Sequence, residues 1–386
     1  MVASLIRLTG DWDLAEDCVQ AAVERALVRW PRDGIPRSPA AWLTTVARNR
    51  ALDVLRRRRT ERAKLQERAL SDAAAGDGSA TDDRLALIFT CCHPALPLEG
   101  RVALTLRTVA GLSTAEIARA FLVSEPAMSQ RLLRTKRKIA HAAVPYRVPP
   151  ADRLAERTGG VLAVVYLVYN AGYEQPDGRL AGEARRLARV LVDLMPGDDE
   201  ARGLLALLAF QESRAATRFD TTGDPVPMGE QDRGRWDRAS IAEGRRQLRR
   251  AAASGRPPGP YQLQAGIAAR HAAAPSAEAT DWPAIVRLYD ALMVAQPSPV
   301  VALIRAVAVG FRDGCDAGLA ALSPLDADLA GYHLLPAARA DFLRRLGHAE
   351  AQEAYLAAID LAPPGGPDHR LLRRRLAEVQ AAGAAG

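Results

Sequence analysis

Residues 111–141, GLSTAEIARAFLVSEPAMSQRLLRTKRKIAH, constrain this chain more than any other stretch. Ser113 followed three residues later by Glu116 is a capping box, in which each side chain satisfies a backbone N–H at a helix start. Ala115, Ile117 and Ala118 give that helix small or apolar contacts. The link FLVSE is short, which suits two helices meeting at a steep angle. Ser124 can cap the second helix, and Pro126 sits in its first turn, where a missing N–H costs little. On that helix Met128, Leu132, Thr135 and Ile139 follow helical spacing and are expected to face a core. Ser129, Gln130, Leu133, Arg134 and Arg137 fall on its other faces. From Pro126 to Pro150 there is no Asp or Glu, while Arg131, Arg134, Lys136, Arg137 and Lys138 add five positive charges. The pattern predicts a helix-turn-helix whose second helix fits a major groove. Arg pairs with guanine and Gln with adenine, and the remaining cations hold phosphates. A helical hairpin with a solvated basic face is the plainer alternative. The helix-turn-helix geometry and the basic footprint favour DNA.

At 386 residues the chain has room for two or three domains. Hydrophobic residues make 48% of it and aromatics 5%, with Ala and Leu dominant. That balance favours an all-α fold over sheets. The net charge of +7 is unevenly placed. Residues 1–150 carry 24 Lys and Arg against 16 Asp and Glu, a balance of +8; residues 151–386 carry 28 against 29, a balance of −1. Polyanion binding therefore belongs to the first 150 residues. Cys18, Cys91, Cys92 and Cys315 form no disulfide framework, and a reducing, cytoplasmic compartment is expected. The longest apolar run, Val161 to Tyr169, is too short to span a bilayer. Three contiguous residues, Cys91, Cys92 and His93, cannot easily wrap a tetrahedral zinc, so neither metal nor cofactor is expected.

Ahead of the helix-turn-helix, Leu14, Cys18, Ala22 and either Arg25 or Ala26 form one helical stripe, with Val23, Leu27 and Trp30 beside it. Asp13, Glu16, Asp17, Gln20 and Glu24 make the opposite face acidic and polar, either a solvated face or a docking face for a basic partner. PRDGIPRSP at 31–39 is a turn-rich loop. The next helix has Trp42, Leu43, Val46, Leu52 and Leu55 as its core face. Its basic end carries Arg48, Asn49, Arg50 and the run from Arg56 and Arg57 to Arg59. An aromatic, an Asn and several Arg beside a loop suit single-stranded DNA, through stacking and phosphate pairing. SDAAAGDGSAT at 71–81 reads as a flexible linker.

Residues 1–141 resemble a bacterial extracytoplasmic-function sigma factor. The resemblance rests on GDWDLAEDCVQAAVERAL, on AWLTTVARNRALDVLRRRR, and on RVALTLRTVAGLSTAEIARAFLVSEPAMSQRLLRTKRKI, in that order around the linker. It implies three segments: a region 2 domain at 1–70, a linker at 71–83 and a region 4 helix-turn-helix domain at 84–145. By position, it gives the helix with Asp13, Glu16, Asp17, Gln20 and Glu24 the role of docking on core RNA polymerase. Trp42, Arg48, Asn49, Arg56 and Arg57 match the part that melts and reads the −10 promoter element, together with Asp53. Ser129, Gln130, Leu133 and Arg134 match the −35 reading face, with Arg131, Lys136, Arg137 and Lys138 on phosphates. Core RNA polymerase and promoter DNA are the partners implied, and no catalysis.

Residues 151–386 read as a separate helical module behind a proline-rich boundary, VPYRVPPADRL. Ala184, Ala188, Leu191 and Pro196 stand at offsets repeated by Ile285, Tyr289, Leu292 and Pro297, and again by Ala351, Tyr355, Ala358 and Pro363. The last two prolines are 66 residues apart, twice 33, which is close to the tetratricopeptide period. Such helix pairs bury their small-residue faces against neighbours and stack. A subgroup of the sigma factors carries a long extension of this kind. YLVYNAGY, EQDRGRWD, GPYQLQAGIAARHA, TDWPAIVRLYDAL and PSPVVALIRAVAV resemble it, with Ala171 where the subgroup carries an acidic residue. The resemblance implies a regulatory domain that engages an unidentified protein or small ligand.

Tyr166, Tyr169, Tyr173, Asp232, Arg233, Trp236, Tyr261, Gln262 and His271 are the polar and aromatic residues of this module that could line a ligand site. A packing network is the favoured reading, because buried polar groups must find partners in any case. Two function classes remain: a sigma factor with a control module, and a polymerase-independent helix-turn-helix regulator with a sensing domain. The acidic first helix favours the former, since a free-standing regulator would be a symmetric dimer on a palindrome.

Overall fold

A computed structural model describes residues 1–63, 80–121, 123–173 and 178–385. Every regular element among them is helical, as expected, and two compact units divide the chain at Gln175/Pro176.

The first unit holds α1 (Val2–Thr9), α2 (Trp12–Asp33), α3 (Pro39–Ala63), α4 (Ala80–Cys91), α5 (Leu98–Thr105), α6 (Thr114–Ala120), α7 (Glu125–His141) and α8 (Ala151–Tyr173). Asp11 caps α2 by accepting from the Leu14 N–H at 3.1 Å. The buried stripe of α2 is Leu14, Cys18, Ala22 and Ala26, so Ala26 and not Arg25 completes it. Val23 and Leu27, expected beside that stripe, are instead 41% and 71% exposed. The face of α3 also differs from expectation. Leu43, Val46, Leu52 and Leu55 are only half-buried, and the fully covered residues are Ala47 and Ala51. Two alanines let α2 and α3 approach closely, which displaces the larger side chains to the margins of the contact.

Residues 71–79 of the expected linker lie outside the described residues. Its last positions do not: α4 already begins at Ala80. Asp83 is 4% exposed and pairs with Arg7 at 2.9 Å. The chain breaks at His93–Pro97, leaving Cys91 and Cys92 buried. Cys92 Sγ lies 3.5 Å from Thr105 Oγ1. Burial pushes both thiols up, Cys92 to about 11.

The first unit runs past the boundary expected at 145–151. Helix α8 packs on α4 and α5, burying Val161, Leu162, Val164, Val165 and Val168. Arg157 Nη2 donates to the Phe89 carbonyl at 2.8 Å. Pro149 and Pro150 mark the start of a helix, where proline is tolerated, and not the end of a unit.

The second unit comprises α9 (Arg179–Leu194), α10 (Asp199–Glu212), α11 (Arg238–Ala252), α12 (Pro260–Ala273), α13 (Trp282–Ala295), α14 (Pro299–Asp313), α15 (Cys315–Leu322), α16 (Leu334–Leu346), α17 (Ala351–Leu361) and α18 (Pro367–Ala385). The recurring positions fall on α9, α13 and α17. Ala184, Ala188, Leu191, Ile285, Leu292, Ala351, Tyr355 and Ala358 are buried, and each of these helices packs on its successor. Tyr289 is only half-buried. The last helix then turns back onto a much earlier loop: Arg370 pairs with Asp224 at 2.5 Å, Arg374 with Asp220 at 3.6 Å, and Arg375 with Glu230.

One ion cluster of this unit gives a pH prediction. Glu243 on α11 is held by Arg189, at 2.9 Å, and by Arg185. Hydrogen bonding from Arg189, opposed by burial and reinforced by Arg185, lowers its carboxyl to about 2. A carboxylate with a depressed native pKa stabilises the fold above its unfolded value and loses that contribution as pH falls through the native one. The urea midpoint should therefore drop between about pH 4.5 and pH 2, and Glu243→Gln should flatten that part of the profile. An unchanged profile in the variant would assign the acid sensitivity elsewhere.

Candidate nucleic-acid interface

The helix-turn-helix is built as the sequence requires. After α5 the chain passes through a π-helical turn, Leu106–Ala110, and Gly111 at φ 80° ends it in a left-handed conformation open to glycine. The capping box is formed on both sides. Ser113 N donates to Glu116 Oε2 at 2.7 Å, and Glu116 N donates to Ser113 Oγ at 3.2 Å. Ser124 caps α7 by accepting from Ala127 N at 3.3 Å. Ser113→Ala should lower stability by about 1 kcal/mol, read as a shift of the urea midpoint. Ser113→Asp should keep most of it. Equal losses from the two would show that the cap is not what Ser113 contributes.

Met128, Leu132, Thr135 and Ile139 are all buried, which fixes the rotation of α7. Thr135 packs so closely on α5 that a Cβ at Gly100 would lie 2.6 Å from its Oγ1. Ser129, Gln130 and Arg134 are then exposed on the opposite face, with Leu133 half-buried. Gln130 and Arg134 are four residues apart, so their side chains lie on one face. Among the phosphate candidates Arg137 and Lys138 are exposed, whereas Arg131 and Lys136 are engaged. Arg131 pairs with Glu99 at 3.0 Å. Lys136 Nζ reaches across to α2 and meets Asp13 at 2.7 Å and Glu16 at 3.3 Å. Arg107 lies 3.8 Å from the same Glu16 carboxylate. Lys136 keeps only 14% of its side chain exposed.

This clasp joins two groups of residues that the sequence placed on different partners. Two of the five acidic-face residues, Asp13 and Glu16, hold a cation of the second helix, while Asp17, Gln20 and Glu24 remain exposed. Val23, Leu27 and Val28 are exposed near them, giving α2 an apolar strip beside its acids. Tyr146 adds a second tie. Its hydroxyl lies 2.9 Å from the Ala3 carbonyl and 3.1 Å from that of Asp83, and burial pushes the phenol well up. Residues 123 positions apart carry no sequence signal of pairing, so neither the Lys136 clasp nor Arg107 was foreseeable.

On α3 the basic end is open. Arg48, Asn49, Arg56 and Arg57 are exposed, Arg56 standing 3.7 Å from Asp53. Trp42 is half-buried, edge-on to Trp30 with ring centroids 5.7 Å apart.

The ligand-site candidates are divided between the two units. Tyr166, Tyr169 and Tyr173 belong to α8 in the first unit, and the other six belong to the second. Tyr261 and Gln262 start α12 on the Glu200 carboxylate, their N–H groups donating at 2.9 and 3.1 Å. Asp232 caps a short turn through Gly234 N, and Arg233 stacks over Trp236 with 5.0 Å to the ring centroid.

Residues 1–61 match the family model of sigma-70 region 2, and residues 86–139 match that of sigma-70 region 4. Residues 157–252 match a family of unknown function, DUF6596. An uncharacterized protein, R00370, of Rhizobium meliloti (strain 1021) is 46% identical over 377 residues, 94% of this chain and 89% of that one. Among solved structures, yeast Tom70 superposes with a TM-score of 0.40 at 10% identity, covering 98% of this chain and 82% of that one. The two sigma-70 regions place the protein in a class that acts in transcription initiation. The chain belongs to the extracytoplasmic-function type of sigma factor with a C-terminal extension. Among the described residues no helix is long and apolar enough to cross a membrane.

Proposed function

We propose that the protein binds core RNA polymerase and directs it to promoters. In this reading Gln130, Arg134 and Ser129 read the −35 bases, and Arg137 and Lys138 hold the flanking phosphates. Arg48, Asn49, Arg56, Arg57 and Trp42 engage the melted −10 strand, and the acidic-apolar face of α2 docks on polymerase. The observation that carries the reading is the exposed Ser129–Gln130–Arg134 face behind a fully buried Met128–Leu132–Thr135–Ile139 seam. It occurs in a chain that also carries region 2. Opening a promoter in this way uses binding energy alone, since phosphate contacts position and base contacts specify.

Lys136 cannot hold a phosphate while it holds Asp13 and Glu16. In this reading the clasp opens when promoter and polymerase bind, and the C-terminal unit regulates the activity of the first. Run-off transcription with purified core polymerase tests both parts, comparing the full chain with residues 1–175. That cut keeps α8 on the first unit. Promoter-specific transcripts from either chain support the sigma reading. Higher activity of the shorter chain would make the second unit an inhibitor, and lower activity would make it a required part. Absence of core binding by both would refute the reading in favour of a polymerase-independent regulator.

A further inference from the structure

The charge balance of residues 151–386 is −1, but the charge is not evenly spread. Helix α11 carries Arg238, Arg245, Arg246, Arg249 and Arg250 against one acid, Glu243. That acid is already engaged by Arg185 and Arg189 of α9. All five arginines are exposed, and among the described residues none of them makes an ion pair or a hydrogen bond. Elsewhere in the unit arginine is matched as a rule. Arg256, Arg305, Arg339 and Arg370, for example, each stand within 2.6 Å of a carboxylate.

The arrangement is regular. Arg238, Arg245 and Arg249 are spaced by seven and four residues and so share one stripe, with Ala242 between them; Arg246 and Arg250 form a second stripe beside it. A shallow groove of about 510 Å³ runs along the first stripe, lined by Arg238, Ile241, Ala242, Arg245, Arg246 and Arg249. Ser240, Gly244 and Ala251 are buried on the opposite side. A Cβ at Gly244 would lie 2.8 Å from Cζ of Phe210, a close approach that fixes the rotation of the helix. Helix energetics do not account for the cluster. Arg249 and Arg250 lie in the last turn, where the helix dipole favours a cation, but Arg238 lies in the first turn, where it does not. Arg245 with Arg249, and Arg246 with Arg250, are like charges four residues apart, which weakens a helix.

The chemistry of the face selects its partner. Protein interfaces centre on aromatic or large apolar anchors, and single-stranded nucleic acid stacks on aromatic platforms. The exposed residues of α11 are the five arginines with Ala239, Ala242 and Ala252, and none is aromatic or large and apolar. Gln247, the one amide of the helix, is half-buried and accepts from Arg202 at 3.2 Å. Cations with no stacking ring and no outward amide suit the backbone of a duplex, where contacts position without specifying. From Arg238 to Arg249 the helix spans about 16 Å, and a duplex of that length carries about ten phosphate charges.

We propose that the basic face of α11 is a second duplex-DNA site of this protein, one that holds phosphates without reading sequence. Its arginines donate to phosphate oxygens and release counterions, so the extension adds affinity and no specificity. The site needs neither polymerase nor a promoter sequence, and it stands without the promoter reading of the first unit. It also corrects the expectation that polyanion binding belongs to the first 150 residues, because a balanced total conceals a local concentration of charge.

The test is a titration of the full chain with a duplex of arbitrary sequence, about three helical turns long, read by a fluorophore on Ala239→Cys. Ala239 is exposed on α11, whereas Cys18, Cys91 and Cys92 are buried and Cys315 is half-buried, so the label reports on this face. Saturable binding is expected, with log K falling against log salt by about 0.9 per phosphate contact between about 50 and 200 mM. Arg245→Gln together with Arg249→Gln should lower that slope by about two, and Arg245→Lys together with Arg249→Lys should keep it. Arg287→Gln together with Arg373→Gln removes the same charge from exposed, equally unpaired arginines of α13 and α18. That pair should leave the slope unchanged. Circular dichroism melts of every variant separate a lost site from a lost fold. Three results would overturn the proposal. The first is no saturable signal even at the lowest salt. The second is a wild-type slope in Arg245→Gln/Arg249→Gln, or the same loss in Arg287→Gln/Arg373→Gln, which would reduce the effect to net charge. The third is tighter binding of one isolated strand, or of polyglutamate of equal charge, than of the duplex, which would give the face to a different partner.

Discussion

Arg134→Ala should reduce run-off transcription from the cognate promoter by about ten- to a hundredfold, because a bidentate Arg–base contact carries about 1–3 kcal/mol of discrimination. Arg134 is exposed while its neighbours Leu132 and Thr135 are buried, so the substitution removes the proposed reading group and leaves the seam of α7 intact. The loss should be confined to promoters with the preferred base at one −35 position, and variants at that position should become nearly equivalent. Arg137→Ala is the contrast. It removes the proposed phosphate contact, so it should weaken binding to all promoters alike and lower the salt slope by about one. Transcription of the cognate promoter by Arg134→Ala at the wild-type level would remove Arg134 from the reading face. A uniform loss across all sequences would reassign it to the phosphates.

Gly310→Val should be the most destabilising single change in the second unit, costing about 3 kcal/mol or more. A Cβ at Gly310 would lie 2.2 Å from Cζ of Phe342, and one at Gly318 would lie 2.5 Å from its Cε2. Phe342 is 2% exposed and sits among Leu303, Ala306, Leu322 and Leu335, so the ring has no room to withdraw. The two glycines let α14, α15 and α16 converge on one aromatic ring. Gly182→Ala is the internal control. It stands in an exposed helix interior with nothing within 4 Å of a new Cβ, and it should stabilise by about 0.5–1 kcal/mol. Urea unfolding of the two variants measures both. A midpoint for Gly310→Val equal to the wild type would mean that the packing around Phe342 is loose.

The parts of the fold that were legible in the sequence are those fixed by local spacing. The capping box at Ser113 and the seam of Met128, Leu132, Thr135 and Ile139 depend on residues three or four apart, and both are found as expected. The recurring offsets on α9, α13 and α17 were equally local. What escaped depends on partners far along the chain. The core of α3 is Ala47 and Ala51, not its leucines, because the close approach of α2 selects small residues there, and no pattern within α3 announces that choice. Proline punctuates, so the pair at 149–150 looks in the sequence like a domain edge. The apolar face of α8 that covers α4 and α5 is a property of the fold of the first unit. For the candidate interface, exposure of Ser129, Gln130 and Arg134 follows from the α7 seam, whereas the engagement of Lys136 and Arg131 by Asp13, Glu16 and Glu99 does not.

The clasp at Lys136 has a consequence for ion atmosphere. A solvated cation that lands on a phosphate expels a condensed counterion, and the binding constant falls with salt by about 0.9 log units per log unit for each such contact. Lys136 and Arg131 start from protein carboxylates and not from water. To reach DNA each must vacate an anion, and the vacated carboxylate gathers cations of its own. Their share of the salt slope is partly cancelled, leaving Arg137 and Lys138 to supply most of it from α7. The same arrangement makes added salt act twice and in opposite senses, loosening the protein from itself while weakening its hold on the duplex. Promoter affinity should therefore respond to ionic strength less steeply than the count of basic residues on α7 implies.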